Sequence, residues 1–364
     1  MADVEVPSGL TDITAEWMTE VLRGRGLDVE VASVTPEVGA EGSGVNGITC
    51  RLFLEYARGG EGAPASLVVK LPSTSETIKG VAIRQRFYHN EIYFYDDIAD
   101  RITVNIPRHY YGGIDDERQN FALLMQDMTP AVVGDDIGSC TKEEAVLAVR
   151  EIPKLHAPWW EHPDLDSFAW LPVGEPNLAV ADARFANEVL PGVMRNYGDE
   201  LSPKVRGIIE RYCTNFTETV LSMCTSPRTL THSDYRLTNM LFGGPPDARE
   251  ITVVDWQRVA IARGPVDVAF FAVLSLTPEL RRAWERELVE QYHDALMAEG
   301  VKGYSLEACW RDYRLCAIGP SRITLSFSAR PREDMGGAHL LALQQTLISR
   351  VSAAMEDLDM EEFV

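Results

Sequence analysis

Long apolar runs are missing from this chain of 364 residues. No stretch is long and apolar enough to span a bilayer, so a membrane-spanning protein is not expected. Cysteine is sparse and scattered: the six thiols (Cys50, Cys140, Cys213, Cys224, Cys309 and Cys316) contain no C-x-x-C pair. That spacing offers neither a zinc site nor the dense disulfide framework of a small secreted domain. Basic residues are outnumbered, with 34 Lys and Arg against 55 Asp and Glu and a formal net charge of −21. Such a balance argues against sequence-independent nucleic-acid binding, which needs cations to neutralise phosphates, and against docking on an anionic membrane. It is compatible with a cationic small substrate, for which screening by salt would lower kcat/KM, although acidity also serves solubility. The N-terminus MADVEVPSGLTDITAEW has no basic region followed by an apolar one, so it does not read as a signal peptide. The expectation is a reduced, cytoplasmic protein without nucleic-acid or membrane partners.

What is present reads as globular: 45% hydrophobic and 9% aromatic residues, enough for a sizeable core. Residues 11–23 have the spacing of a short amphipathic helix, with Ile13, Trp17 and Val21 on one face and Gly24 and Gly26 beyond its end. From residue 31 to about 127 the pattern turns to short strands: VASVTPEV, ITCRLFLEYA, SLVVKLP, PRHYYGGI and NFALLMQDM. One helix is expected between the third and fourth, over residues 79–98. After Met128 strand signals nearly vanish. Thr141 and Glu144 form a capping-box signature that opens a helix with Ala145, Val149, Ile152 and His156 on one stripe, kinked at Pro153. Further helices are expected at 181–196, 202–223, 278–299, 305–316 and 338–354. MLFG and ITVVDW flank a turn over 243–250 as a hairpin. The fold class is therefore α+β, with residues 1–127 a small lobe of five strands plus a helix and residues 128–364 a larger helical lobe.

Three sets of residues carry chemistry. Gly42-Ser43-Gly44-Val45-Asn46-Gly47 fits G-x-G-x-x-G, which is weak alone. A strand follows it rather than a helix, so these glycines belong to a hairpin tip. Such a hairpin either covers a triphosphate with backbone N–H groups or is simply a surface turn. Lys70 ends the run Leu67-Val68-Val69. It is either a strand-end charge or a phosphate anchor held by Glu91, and removing it is expected to matter little to stability. The most specific signal is His232-x-Asp234-x-x-x-x-Asn239, the spacing of a kinase catalytic loop, followed by Asp255 at a strand end. One amide and one carboxylate suit Mg²⁺, which prefers hard oxygen ligands. Asp234 would accept a proton from a substrate hydroxyl, and Arg236 would stabilise charge on the transferred phosphoryl group.

HSDYRLTNMLF, VVDWQ and GPVDVAFF resemble the small-molecule kinases of the aminoglycoside phosphotransferase and choline kinase superfamily, in particular its ecdysteroid-kinase-like bacterial branch. The likeness extends over most of the chain, through VVK at Lys70, HNEIYFY at Glu91, LLMQDM and KLHAPWW. It implies a two-lobed kinase-like fold and transfer of the γ-phosphate of ATP to a hydroxyl of a small molecule, such as an aminoglycoside, choline-like or hydroxyacyl compound. It further implies that Asp234 is the base and that Asn239 and Asp255 are Mg²⁺ ligands. Lys70 and Glu91 become the phosphate anchor, the backbone around Gln126 and Met128 holds adenine, and Asp267 braces the catalytic loop. Ser233 stands where Gly is usual between the His and the Asp. Trp256 and Gln257 replace the Phe and Gly of a protein kinase, and no A-P-E segment follows, which favours a small-molecule acceptor. A nucleotide-binding pseudokinase is the alternative, though Lys70, Asp234, Asn239 and Asp255 are all present.

Overall fold

Alternation of apolar and polar residues after Glu30 builds one antiparallel sheet in the computed structural model, which describes residues 4–37, 42–44, 47–245, 250–332 and 337–364. Its strands are β1 (Glu30–Pro36), β2 (Gly42–Gly44), β3 (Gly47–Arg58), β4 (Ser66–Pro72), β5 (His109–Asp115) and β6 (Asn120–Gln126). Their order is β1-β3-β4-β6-β5, with β2 paired to β3. The sheet thus has six strands where five are expected. The extra one is Gly-Ser-Gly, a tripeptide without β propensity that gains strand geometry only by pairing, Ser43 opposite Ile48.

Period-two burial separates the two faces of β4. Leu67, Val69 and Leu71 enter a core with Cys50, Leu52 and Leu54 of β3, under Trp17, Met18, Val21 and Leu22 of the helix Ala15–Gly24. Thr14 caps that helix by accepting from Trp17 N. Lys70, one residue out of phase, lies on the opposite face. The single helix expected over 79–98 is broken into Glu76–Arg84 and Phe87–Tyr93, continued by a π turn Phe94–Ile98. Arg86 at φ 56° makes the break, since a left-handed residue cannot continue a right-handed helix.

Cα packing divides the chain into two units. The first holds Met1–Arg101, Ile106–Pro130 and Val254–Gln257, and the second holds Ile102–Asn105, Ala131–Val253 and Arg258–Val364. In the second unit the capping box at Thr141 and Glu144 is formed, and the helix Lys142–Glu151 gives way to a short helix starting at Pro153. Ala145, Val149, Ile152 and His156 are all fully buried. β9 (Met240–Phe242) and β10 (Ile251–Val253) form the expected hairpin, Ile251 opposite Phe242, and β7 (Val132–Val133) adds to its edge. β8 (Thr229–Thr231) pairs with β11 (Ala260–Ala262).

Two helices are unanticipated, Pro265–Ser275 and Ser321–Ser328. All eleven residues of the first are buried, so it is covered on every side and shows no amphipathic period. Among the described residues no helix is long and apolar enough to cross a membrane.

Candidate active site

In the first unit Lys70 Nζ lies 2.6 and 2.8 Å from the two oxygens of Glu91 and 2.9 Å from Asp255 Oδ1. Glu91 is only 2% exposed. It is placed by the helix Phe87–Tyr93, whose Tyr88 stacks on Phe121 of β6 at 4.0 Å. Burial alone would lower the Lys70 pKa. The Asp255 and Glu91 carboxylates outweigh that effect and hold the ammonium above its ordinary range, so Lys70 is charged at neutral pH. Lys70 is therefore more than a solvated strand-end charge, and its removal is now expected to cost stability. Truncating it would strand a buried carboxylate.

The segment after Val253 is fixed by its own side chains. Trp256 stacks on Phe94 at 4.0 Å, and its backbone N–H donates to Glu91. Gln257 Nε2 donates to Asp255 Oδ2 (3.0 Å), and Gln257 O accepts from Asn90 Nδ2 (3.3 Å). Asp255 is held at φ 68°, a left-handed conformation that L-residues rarely adopt outside functional turns. Asp-Trp-Gln therefore works as a unit, with Trp as anchor and Gln as carboxylate clamp.

Of the glycine hairpin, Gly42, Ser43 and Gly44 form β2, while Val45 and Asn46 at its tip lie outside the described residues. Gly47 is required by packing, since a Cβ there would stand 2.5 Å from Leu71 O. Gln126 closes β6 and donates its N–H to Arg108 O (2.8 Å). Met128 is buried. Asp127 between them is tied to Arg51 (2.9 Å), Ser66 (2.6 Å) and Thr129 (2.7 Å).

In the second unit the loop after β8 is braced by one buried carboxylate. Asp267, in the first turn of the helix Pro265–Ser275, accepts from the N–H of His232 (2.8 Å) and of Ser233 (2.8 Å). His156 Nε2 lies 3.0 Å from the same carboxylate, and its Nδ1 lies 2.9 Å from the Tyr292 hydroxyl. His156, His232 and Asp267 are fully buried. Ser233 sits at φ 60°, which explains why glycine would suit it. Its hydroxyl is engaged with Thr231 Oγ1 at 2.8 Å.

That bracing positions the three loop residues named above. Asn239 Nδ2 donates to Asp234 O at 2.8 Å, which orients the amide oxygen away from the loop. Arg236 Nε donates to Asp234 Oδ1 (3.0 Å), and its Nη1 donates to Asp136 Oδ2 (2.5 Å). Asp136 also accepts from Thr238 Oγ1 at 2.9 Å. Burial pushes the Asp136 carboxyl up despite Arg236. Asp136 sits in a loop of ordinary turn composition and gives no sequence signal. Arg258, Arg322 and Glu175, which also surround this loop, are likewise invisible to motif reading. Trp159 is core, 1% exposed and edge-on to Phe168.

Solved structures of similar fold cover nearly the whole chain. Choline kinase from Cryptosporidium parvum Iowa II superposes with a TM-score of 0.54 at 10% identity, covering 91% of this chain and 91% of that one. The GDP complex of wild-type aminoglycoside 2′-phosphotransferase-IIIa gives 0.51 at 13% identity, covering 95% and 99%. A choline/ethanolamine kinase family protein from Mesorhizobium loti gives 0.50 at 13% identity, covering 90% and 92%. This is the aminoglycoside phosphotransferase and choline kinase fold. Residues 178–302 match the model of the ecdysteroid kinase-like family, a span that includes Asp234, Asn239, Asp255 and Asp267 but not Lys70 and Glu91. No curated protein sequence matches the chain. Among the described residues no group of three or more His, Cys, Asp or Glu forms a ready-made metal cage. Mg²⁺ is usually held by one or two protein oxygens plus substrate phosphates rather than by an all-protein cage, and Asp255 in the first unit and Asn239 in the second each carry an oxygen of that kind.

Proposed function

We propose that this protein transfers the γ-phosphate of ATP, with Mg²⁺, to a hydroxyl group of a small molecule. The observation that carries the proposal is the Asp267-braced loop, which fixes Asp234 with Asn239 hydrogen-bonded to its carbonyl. The Lys70–Glu91 pair supports it as a preformed phosphate anchor, because a lysine locked between two carboxylates is positioned before any nucleotide arrives.

In this reading the acceptor oxygen attacks the γ-phosphorus, the bond to ADP breaks, and the hydroxyl proton passes to Asp234. Lys70 holds phosphate oxygens, and the backbone of Gln126 to Met128 and of Gly42 to Gly44 contacts adenine and phosphates respectively. Asn239 and Asp255 would each offer an oxygen to Mg²⁺, which would supply charge neutralisation on the phosphates. Arg236, tied to both Asp136 and Asp234, holds the Asp234 carboxylate in one orientation and presents positive charge beside it.

Calorimetry with ATP, with and without Mg²⁺, combined with ADP release over a panel of hydroxyl compounds, tests this. Mg²⁺-dependent binding and acceptor-dependent ADP release are expected. Absence of any Mg²⁺-dependent nucleotide binding overturns the proposal.

A further inference from the structure

Ser233 sits at φ 60° with each of its polar groups engaged. Asp267 accepts its N–H (2.8 Å), and its hydroxyl meets Thr231 Oγ1 at 2.8 Å. Its carbonyl, which leads directly into Asp234, accepts from Arg322 Nη2 at 3.2 Å. At the other end of that same peptide group, Asp234 N donates to His232 Nδ1 at 3.3 Å. The peptide unit that carries Asp234 is thus fixed on one side by the loop itself and on the other by a guanidinium 89 positions away.

Arg322 reaches the loop after β8 from the first turn of the helix Ser321–Ser328. Its Nη1 pairs with Glu175, and both side chains are largely buried. Glu175 is in turn tied to the strands beneath the loop. Gly174 N donates to Ile261 O of β11 (3.0 Å), and Ile261 N donates to Pro172 O (2.8 Å). Gly174 takes φ 71° there, and a Cβ on it would stand 2.7 Å from both Cys224 Sγ and Val220 Cγ1. Ile261 pairs with Leu230 of β8, the strand from which the loop emerges. The contacts therefore close a ring: β8, Ser233, Arg322, Glu175 and β11.

To neutralise Arg322 a single carboxylate suffices, and Glu175 supplies it. A guanidinium offers its donors in a rigid fork, so with one prong anchored the other holds an acceptor at a fixed place. The acceptor taken here is the carbonyl next to the proposed base. We infer that Arg322, anchored by Glu175, is a positioning residue for Asp234: it fixes the backbone that carries the carboxylate, while Arg236 fixes the carboxylate itself. It acts through the peptide group and not on the reacting atoms. An L-residue in the left-handed region persists only where its surroundings over-determine it, so loss of the Ser233 O contact would let the loop drift. A misplacement of about 1 Å at a reacting group costs about 100-fold in rate, so a contact of this kind matters to turnover. The inference rests on the phosphotransferase reading above and adds two residues that lie outside the span 178–302 matched by the family model.

Turnover is read as ADP release from MgATP, with water as acceptor and with the hydroxyl compound that releases ADP fastest in the panel above. Removing Arg322 alone strands Glu175, so the first variant is Arg322→Gln/Glu175→Gln, which takes out both charges. It should melt close to the parent, lower kcat by about 10- to 100-fold and leave KM for ATP within about three-fold. Arg322→Lys keeps a cation beside Glu175 but loses the planar fork, so it should fold like the parent and lower kcat in the same direction. The decisive readout is the combination with Asp234→Asn. A residue that works through Asp234 has little left to position once the base is gone, so in that background either variant should change kcat by less than about three-fold. Independently of turnover, the Asp234 amide should exchange about 10-fold faster in both variants, because local opening of the loop becomes easier. Unchanged kcat in both variants, or a fall equally large in the Asp234→Asn background, overturns the inference and leaves Arg322 a structural residue. Failure of the phosphotransferase reading looks different: the parent itself then shows no Mg²⁺-dependent ATP binding and no ADP release, and the positioning role falls with it.

Discussion

Replacing Asp267 by alanine should loosen the loop after β8 more than any exposed substitution could. The carboxylate accepts three hydrogen bonds, from His232 N, Ser233 N and His156 Nε2, all between 2.8 and 3.0 Å. Its surroundings are dry, since Asp267, His156 and His232 are fully buried and Ser233 is 6% exposed. Each buried donor left without an acceptor costs about 1–3 kcal/mol, so three of them would total several kcal/mol. A water entering the vacated space recovers part of this, and a loss of about 4 kcal/mol is the expected outcome. That is a large share of a typical stability of about 5–15 kcal/mol. Asp267→Asn should cost about half as much, because the amide retains one acceptor oxygen but turns an NH₂ toward a donor.

Hydrogen exchange is the fitting assay, since the two amides are read individually while global unfolding averages over both units. The His232 and Ser233 amides should lose protection by about 100-fold or more in Asp267→Ala, in line with about 3 kcal/mol of local opening. Amides of β3 and β4, in the other unit, should not change. A variant within about 1 kcal/mol of the parent in urea, with unaltered exchange at those two amides, would falsify the bracing role.

Four further outcomes are expected. Lys70→Ala leaves Glu91 buried beside Asp255 without its cation, so it should destabilise the protein by about 3 kcal/mol; Lys70→Met/Glu91→Gln should recover most of that while leaving ATP binding impaired, and full stability in the single variant would contradict the burial argument. Asp234→Asn should keep MgATP affinity within a few-fold of the parent yet lower kcat by roughly a hundred-fold or more, whereas Asp255→Ala should weaken MgATP binding itself; the reverse pattern would exchange their roles. His109, desolvated and close to Arg25, is pushed down to about 4, so the unfolded chain takes up a proton first and stability should fall by about 2 kcal/mol between pH 7 and pH 5; His109→Gln should flatten that slope, and an equally steep slope in the variant would show that other groups cause it. Asp136→Asn removes the charge that holds Arg236, so it should lower kcat more than it raises KM for ATP; a change confined to KM would deny it a positioning role.

Legibility in the sequence followed periodicity and capping chemistry. β4 carried its own alternation, and the Thr141–Glu144 capping box named its helix start to the residue. The helix Pro265–Ser275 was hidden because burial on all sides erases the period that marks an amphipathic helix. β7, β8 and β11 are two or three residues long, too short for any pattern. At the site, spacing alone grouped Asp234, Arg236 and Asn239, because a loop of eight residues closes on itself by local hydrogen bonds. The Lys70–Glu91 contact spans 21 positions, and from the residues alone it stood only as one of two readings of a lysine that ends an apolar strand. Asp136, 100 positions from Arg236, Glu175 and Arg322 come together only through tertiary packing, and no local signal reports a partner that distant.

The Lys70 trio and the surroundings of Asp234 are built differently, and each arrangement bears on the work proposed for it. Lys70, Glu91 and Asp255 sum to one negative charge in a largely buried setting, a combination that is costly unless something cationic joins it. The exposed member of the trio is Asp255, at 27% against 2% for the Glu91 side chain, so it is the carboxylate that can be shared with a cation. Around Asp234 the carboxylate is instead held between guanidinium groups, Arg236 Nε at 3.0 Å and Arg258 Nε at 3.8 Å, with Arg236 shared with Asp136. The first arrangement calls for a cation, and the second fixes the orientation of a carboxylate. Neither sets the charge of the acceptor, on which the long-range field of a chain at −21 acts from outside the site. A cationic acceptor should therefore show kcat/KM that falls with ionic strength, and an anionic one kcat/KM that is flat or rises. A cationic acceptor whose kcat/KM is flat in salt would show that overall acidity does not steer it.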